Sequence, residues 1–300
     1  MRDDPVIARH DAPARALMRI AVLVPAPDYP EAWGWAFAGE ETALLAAGAE
    51  IETVPWTEFG DVRGFDLVLP LLVWGYNRRY ADWLALLDRM EAERWPVTNP
   101  PAVLRWNSDK IYLAELDAAG VPTVATRVSD ALAEQDLAAA RAAFACDTLV
   151  IKPPVSAAAD GTFKLAPGDE IPDGFRGQRM LIQPWLSAVV GDGEYSLMFF
   201  NGAYSHAIVK RPKPGDFRVQ PHLGGSEVPC LPPPGSEALA RAALAAAPAA
   251  AAYARVDMLA DDAGTLRIME LELIEPSLWL EHAPHQGAAF AEAVMAAIGA

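Results

Sequence analysis

The stretch RIMELELIEPSL, residues 267–278, sets Glu270 and Glu272 two positions apart within an otherwise apolar run. Side chains alternate across a strand, so both carboxylates point to one face while Met269, Leu271 and Leu273 point to the other. Upstream, YARVDMLADDAGTL (253–266) reads as the partner strand of a hairpin turned at Asp262–Gly264, and it carries Asp257. Three carboxylates then share one patch. An exposed strand face would tolerate them. The flanking residues are strongly apolar, however, and an uncompensated acidic pair is costly in a half-buried sheet. The pattern therefore favours a bound cation, and hard oxygen ligands of this kind suit Mg²⁺.

Working outward from that patch, GEYSLMFFNGAYSHAIVKR (193–211) is a second hairpin turned at Asn201-Gly202. Simple two-residue pairing puts Lys210 on the face of Tyr195, Leu197 and His206, with Glu194 on the other. Short strands are expected at TLVIKPP, GTFKLA and RMLIQPWL, and a helix capped by Asn107 or Ser108 and closed by Gly120. Ser236 to Ala252 reads as an alanine-rich helix disturbed by Pro248, and another helix ends the chain. The N-terminal part has a different rhythm. RIAVLVPA (19–26) is a buried-strand run, followed by a helix from Glu31 to Ala47, the strand AEIETVPW, a third strand in FDLVLPLLVWGY, a helix from Arg78 to Glu93 and a short strand in PVTNP. Strand–helix alternation predicts an α/β unit with a parallel sheet, whose ligand loops follow the strand C-termini. VWGYNRR (73–79) lies at such an end.

The fold class is therefore α/β, turning to α+β in the C-terminal half. The expected division is a polar, disordered leader at 1–17, an N-terminal α/β domain at 18–100, a central subdomain at 101–182 and a C-terminal subdomain with the metal site at 183–300. The chain has 300 residues and a formal charge of −16, from 40 acidic and 24 basic side chains. That sign repels phosphate backbones and anionic lipid, which argues against nucleic acid and membranes as partners. No apolar run has the length of a membrane span. Cys146 and Cys230 have no metal-type spacing, and a reducing cytoplasm fits. A homodimer is compatible with the sequence, since dimers are the commonest closed assembly.

Two stretches reverse the acidic trend or gather small residues. LVIKPPVSAAADGTFKL (149–165) ends a strand on Lys152 and continues through Ser156 to Gly161 and Thr162. A lysine beside such a loop can hold a polyphosphate, but with no Walker signature the stretch taken alone reads better as an ordinary surface lysine on a flexible hairpin. KRPKPGDFRVQPHLGG (210–225) concentrates Lys210, Arg211, Lys213 and Arg218, which suits an anion or a solvated charged loop. His282 and His285 lack a third ligand and read as surface or substrate-contact residues.

In their order, these elements resemble the ATP-grasp superfamily, in its glutathione-synthetase and RimK-like branch. The elements are a lysine before a helix, VIKPPVSAAADGT, LIQPWL, GEYS…NG…KRPKPGDFR…GG and ARVD…RIMELELIEPS. The resemblance covers about Pro101 to Leu280 and, more loosely, the N-terminal part. Within that branch the chain is most similar to cyclo-ligases of the D-cycloserine type, which close O-ureidoserine into a ring. The resemblance implies two α+β subdomains sandwiching ATP. It implies that Lys110 and Lys152 contact the phosphates, and that the linker residues Gln183, Pro184, Trp185 and Leu186 meet the adenine. It places Glu194 on the ribose and Lys210 and Arg218 on phosphate, with Arg218 also steadying the acyl-phosphate transition state. Asp257, Glu270 and Glu272 would hold Mg²⁺, or Mn²⁺ in its place. Two departures stand out. The mobile loop is poor in glycine, and Ser196 stands where RimK-like enzymes have Arg, which speaks against glutamate addition.

The implied reaction is activation of a small carboxylate by ATP and capture of the acyl phosphate by a nitrogen nucleophile, within one molecule or between two. Trp74, Tyr76, Arg78, Glu275 and Ser277 are the expected substrate residues: Arg78 or its neighbour Arg79 for a second carboxylate, Glu275 and Ser277 for an amino group. A kinase of the same fold and a non-catalytic ATP-binding module are the alternatives.

Overall fold

The computed structural model describes residues 18–219 and 224–298. The leader expected at 1–17 and residues 220–223 of the basic loop lie outside them. The first apolar run forms β1 (Met18–Val24), flanked in parallel by β2 (Ala49–Pro55) and β3 (Leu67–Leu69) in the order β2-β1-β3. Helices α1 (Ala38–Ala46) and α2 (Tyr80–Ala92) cross over between and after them. The expected third strand stops at Leu69, because Pro70 has no amide to give to a ladder. PVTNP contributes only an isolated parallel bridge from Val97 to Val68. The first helix begins seven residues later than expected, after a 3₁₀ turn at Gly34–Ala36.

Two antiparallel sheets follow. Strands β4 (Arg127–Ser129), β5 (Leu149–Lys152), β6 (Phe163–Leu165) and β7 (Met180–Pro184) form one, in the order β4-β7-β5-β6. Helix α5 (Glu134–Phe144) packs on it through Leu137 and Ala140. The Ala133 amide and the Ser129 hydroxyl both donate to Asp136, which fixes the start of α5. The larger sheet has the order β10-β9-β8-β11-β12 and contains β8 (Glu194–Phe200), β9 (Ala203–Arg211), β10 (Ser226–Cys230), β11 (Tyr253–Ala260) and β12 (Leu266–Glu272). Its apolar face, with Leu197, Val256, Ile268 and Leu271, is covered by helices α3 (Pro101–Ser108), α4 (Tyr112–Ala118) and α7 (Ser236–Ala245).

The helix expected between a cap at Asn107 or Ser108 and Gly120 starts later, as α4 at Tyr112, because residues 101–108 already form α3 and the chain breaks at Asp109–Ile111. Asn107 is no cap. It is buried, donates to Leu271 O and accepts from Leu273 N, stitching α3 to the end of β12. The helix from Ser236 stops at Ala245, before Pro248. A four-residue helix, α6 (Ala188–Gly191), joins β7 to β8. The last helix, α8 (Ala288–Ala296), returns to the N-terminal unit, where Phe290 and Val294 share a core with Ile20, Leu44 and Tyr253. Both cysteines are free. Among the described residues, no helix is long and apolar enough to cross a membrane.

Candidate active site

Two β-bulges decide which side chains meet. In β8–β9, Met198 pairs with His206 but Phe199 pairs with Tyr204, so Ser205 is an extra residue. The expected pairing of Lys210 with the Tyr195 and Leu197 face therefore fails. Lys210 lies directly opposite Glu194, on the face of Ser196, Met198 and His206. In β11–β12, Asp257 pairs with Glu270 and Met258 with Ile268, leaving Met269 as the extra residue. Ile268, not Met269, then joins Leu271 in the core, while Glu270 and Glu272 keep their common face. Asp257 lies opposite Ser196, and Arg255 opposite Glu272. One face of the large sheet thus gathers Glu194, Ser196, Lys210, Arg255, Asp257 and the two glutamates.

The charges on this face are matched internally. Asp257 is 2% exposed and accepts from Ser196 Oγ at 2.6 Å, Lys210 Nζ at 3.1 Å, and Arg255 Nε and Nη2 at 3.0 Å each. Burial pushes its carboxyl up, but the Arg255 and Lys210 charges outweigh this and hold it well below the usual range. Lys210 also pairs with the buried Glu194, and Arg255 reaches across to Glu272. Burial raises the Glu194 carboxyl despite Lys210. Burial, opposed by Arg255 and reinforced by Asp257 and Glu270, pushes Glu272 up to about 7. Just beyond β12, burial and then the Glu272 charge push Glu275 up to about 8, and its Oε2 is buried without a hydrogen-bond partner.

The second wall comes from the smaller sheet and the α3–α4 break. Lys152 ends β5, is buried, and has no ion-pair partner among the described residues. Burial lowers its ammonium, while Glu270 pulls it back up. Lys110 Nζ lies 3.1 Å from Glu270 and donates to Ser156 O, and the Lys110 amide donates to Pro154 O at 2.8 Å. These bonds tie the 153–162 loop to the carboxylate face. The loop turns tightly at Gly161, with φ +69°, where a Cβ would meet Pro153 Cγ at 2.8 Å. Thr162 closes the turn by donating its amide to Ala159 O.

Other expected residues lie further out. Gln183 is buried and donates to Thr126 Oγ1 at 2.9 Å. Pro184 ends β7, and Trp185 begins the linker that continues through Leu186, with its ring packed edge-on against Phe217 at 5.5 Å and Lys164 Nζ 3.6 Å above it. Arg218 is not in the carboxylate cluster. It makes a two-pronged pair with Asp216 of its own turn, which holds Asp216 well below the usual carboxylate range. Trp74 stacks between Tyr29 and Trp35, Tyr76 is buried against Trp83, and Arg78 and Ser277 are exposed. Trp74 and Arg78 line a cavity of about 120 Å³ with Tyr29, Trp56 and Arg79.

Among the described residues, no three His, Cys, Asp or Glu side chains stand ready to hold a metal ion. Internal cations occupy the Asp257, Glu270 and Glu272 oxygens instead. The donor chemistry still fits Mg²⁺: hard carboxylate oxygens on adjacent strands, with Asp257 directly opposite Glu270. Arg255 is the member of this charged face that the sequence reading missed. Its signal was its position two residues before Asp257, which puts both on one strand face.

Comparison with known proteins identifies the family. Residues 22–99 match the family model described as the N-terminal domain of D-cycloserine synthetase DcsG. The cycloserine biosynthesis protein DcsG of Streptomyces lavendulae is 32% identical over 278 residues, covering 84% of this chain and 90% of that protein. The crystal structure of D-cycloserine synthetase DcsG superimposes with a TM-score of 0.75 at 26% identity, covering 93% of this chain and 99% of the other. The ATP-grasp ligase PsnB, solved with a variant precursor, Mg and ADP, superimposes with a TM-score of 0.63 at 17% identity, over 94% and 99% of the two chains. The chain belongs to the DcsG family and is an ATP-dependent ligase of the ATP-grasp fold.

Proposed function

We propose that this ligase activates the carboxylate of a small amino-acid-like substrate as an acyl phosphate and lets the substrate's own nitrogen close a ring. The likeness to DcsG supports cyclisation. The observation that carries the reading is the convergence of Lys110, Lys152 and Lys210 with Asp257, Glu270 and Glu272 where the two antiparallel sheets meet.

The chemistry joins anions, so cations must neutralise the charge that builds up. Lys152, which has no ion-pair partner among the described residues, binds the nucleotide phosphates, with Lys110 beside it. Lys210 and Arg218 complete the phosphate contacts. Asp257, Glu270 and Glu272 would hold Mg²⁺, or Mn²⁺ in its place, and the bound ion would neutralise phosphate charge. The linker 183–186 meets the adenine, Trp185 offering its backbone beside the Phe217 ring. Glu194 turns to the ribose as the phosphates draw Lys210 away.

The substrate carboxylate attacks the γ-phosphorus and ADP leaves. The nitrogen lone pair then attacks the acyl carbon, the bond to phosphate breaks, and the nitrogen gives up its proton. Ser156 and its loop, anchored through Lys110, exclude water while the acyl phosphate exists. The substrate lies between the 72–79 loop and the end of β12. There Arg78 takes a second carboxylate, Trp74 and Tyr76 form the wall, and Glu275 and Ser277 take the amino group. A cytoplasmic location fits an enzyme that draws on ATP.

The test is ADP release over a panel of small amino acids, with and without added nitrogen nucleophiles, read in parallel by mass spectrometry. Cyclisation predicts ADP release without an added nucleophile, together with a product lighter than its substrate by one water. ADP release that yields only a phosphorylated product would overturn the reading in favour of a kinase.

A further inference from the structure

The carboxylates that suit a divalent ion are closed by a guanidinium, and that guanidinium rests on an unusual residue. Arg255 engages both Asp257 and Glu272 and is itself buried. Its Cζ lies 5.3 Å from the centre of the Trp279 ring. Trp279 adopts φ +45° and ψ +50°, a left-handed conformation rarely taken by a bulky residue. Its Nε1 donates to Glu227 Oε2 at 2.9 Å, which ties the indole to strand β10. A backbone strained in this way persists only when its surroundings enforce it. Here the Glu227 bond and the Arg255 stack determine the ring position from two sides.

A divalent ion and Arg255 compete for the same oxygens of Asp257 and Glu272. The buried Asp257 and the half-buried Glu272 carboxylates need a counter-charge whether or not a metal is present. A guanidinium expelled from them would otherwise be left unpaired, but a flat indole offers it a cation–π seat. We propose that Arg255 is an internal counter-cation for the metal ligands, exchanged for the divalent ion, and that Trp279 is the positioning residue that keeps the displaced guanidinium at the rim of the site. This inference rests on the ligase reading only for the identity of the metal ligands.

The exchange is tested without nucleotide or substrate, by titrating full-length protein with Mn²⁺ alone and following free Mn²⁺ by electron paramagnetic resonance. Removing the competitor in Arg255→Met should tighten Mn²⁺ binding by about tenfold or more, while Arg255→Lys stays near wild type. Removing the seat in Trp279→Leu should weaken binding severalfold, and Trp279→Phe, which keeps an aromatic face, should restore it. A Trp279 that only supported the fold would lower the melting temperature of the Leu variant without changing its Mn²⁺ affinity. Unchanged or weaker binding in Arg255→Met, or unchanged binding in Trp279→Leu, overturns the proposal. If Arg255→Met fails to fold, the Leu and Phe variants at position 279 decide it alone. Absence of ligase activity leaves the Mn²⁺ result intact, so failure of the two readings is distinguishable.

Discussion

Replacing Glu275 by Gln should stabilise the metal-free protein, increasingly so as the pH rises. Burial and the neighbouring Glu272 raise this carboxyl from its ordinary 4.5 to about 8. The native state therefore keeps a proton that the unfolded chain has already released. Stability attached to Glu275 falls from about pH 4.5 upward and stops falling near pH 8. Each pH unit is equivalent to about 1.4 kcal/mol, so the full displacement corresponds to roughly 5 kcal/mol. The side chain is only partly sealed from solvent, and local relaxation brings the expected effect nearer to about 2 kcal/mol. Gln keeps the shape, cannot ionise, and escapes this loss. Urea denaturation in EDTA at about pH 5, 7 and 9 measures the difference. The Gln variant should match wild type within about 0.5 kcal/mol at the lowest pH and exceed it by about 2 kcal/mol at the highest. A gap that does not change with pH, or a Gln variant less stable at the highest pH, would refute the idea that Glu275 is strained by burial.

Two further predictions concern the scaffold. Asn99 donates to Tyr253 O and Leu273 O and accepts from Ala252 N, all buried. Asn99→Ala strands those three backbone groups and should cost about 3 kcal/mol or more by urea titration; a loss below about 1 kcal/mol would show that water replaces the side chain. Gly193 has φ +93°, and a Cβ there would lie 2.5 Å from Lys210 O. Gly193→Ala should therefore push apart the start of β8 and the end of β9, lowering both the melting temperature and the affinity for MgATP. Retention of both would mean that the Glu194–Lys210 pair tolerates a shifted strand end.

Much of the site was legible because period-2 alternation places Glu270 and Glu272 on one face whatever the global fold. Lys152 was not readable from its own stretch, which suits a surface lysine, although the structure buries it; only the order of the elements pointed to it. Nor was the relation of Lys210 to Glu194 readable. It depends on the extra residue Ser205, and nothing in an alternating sequence says where a bulge will sit. Arg255 was hidden by attention to carboxylates, although its spacing from Asp257 announced it. Asn107 carries a strong capping residue type, yet tertiary bonds to β12 took it into the core. Helix α5 was missed because EQDLAAARAAF has only Leu137 and Phe144 as large apolar residues, too few to mark a face. Arg218 illustrates a further limit. Its neighbour Asp216 offers a ready partner two residues away, and a local pair of that kind competes with any distant anion.

The central claim is that a nucleotide triphosphate binds where Lys152 meets the carboxylate face. Calorimetric titration of the full chain with MgATP, alongside Lys152→Met, tests it most directly. The account predicts saturable binding by the wild type and a loss of at least about tenfold in affinity for the Met variant, which removes one charge-assisted phosphate contact. Equal affinity in the two proteins, or no heat of binding in a folded wild type, would contradict it.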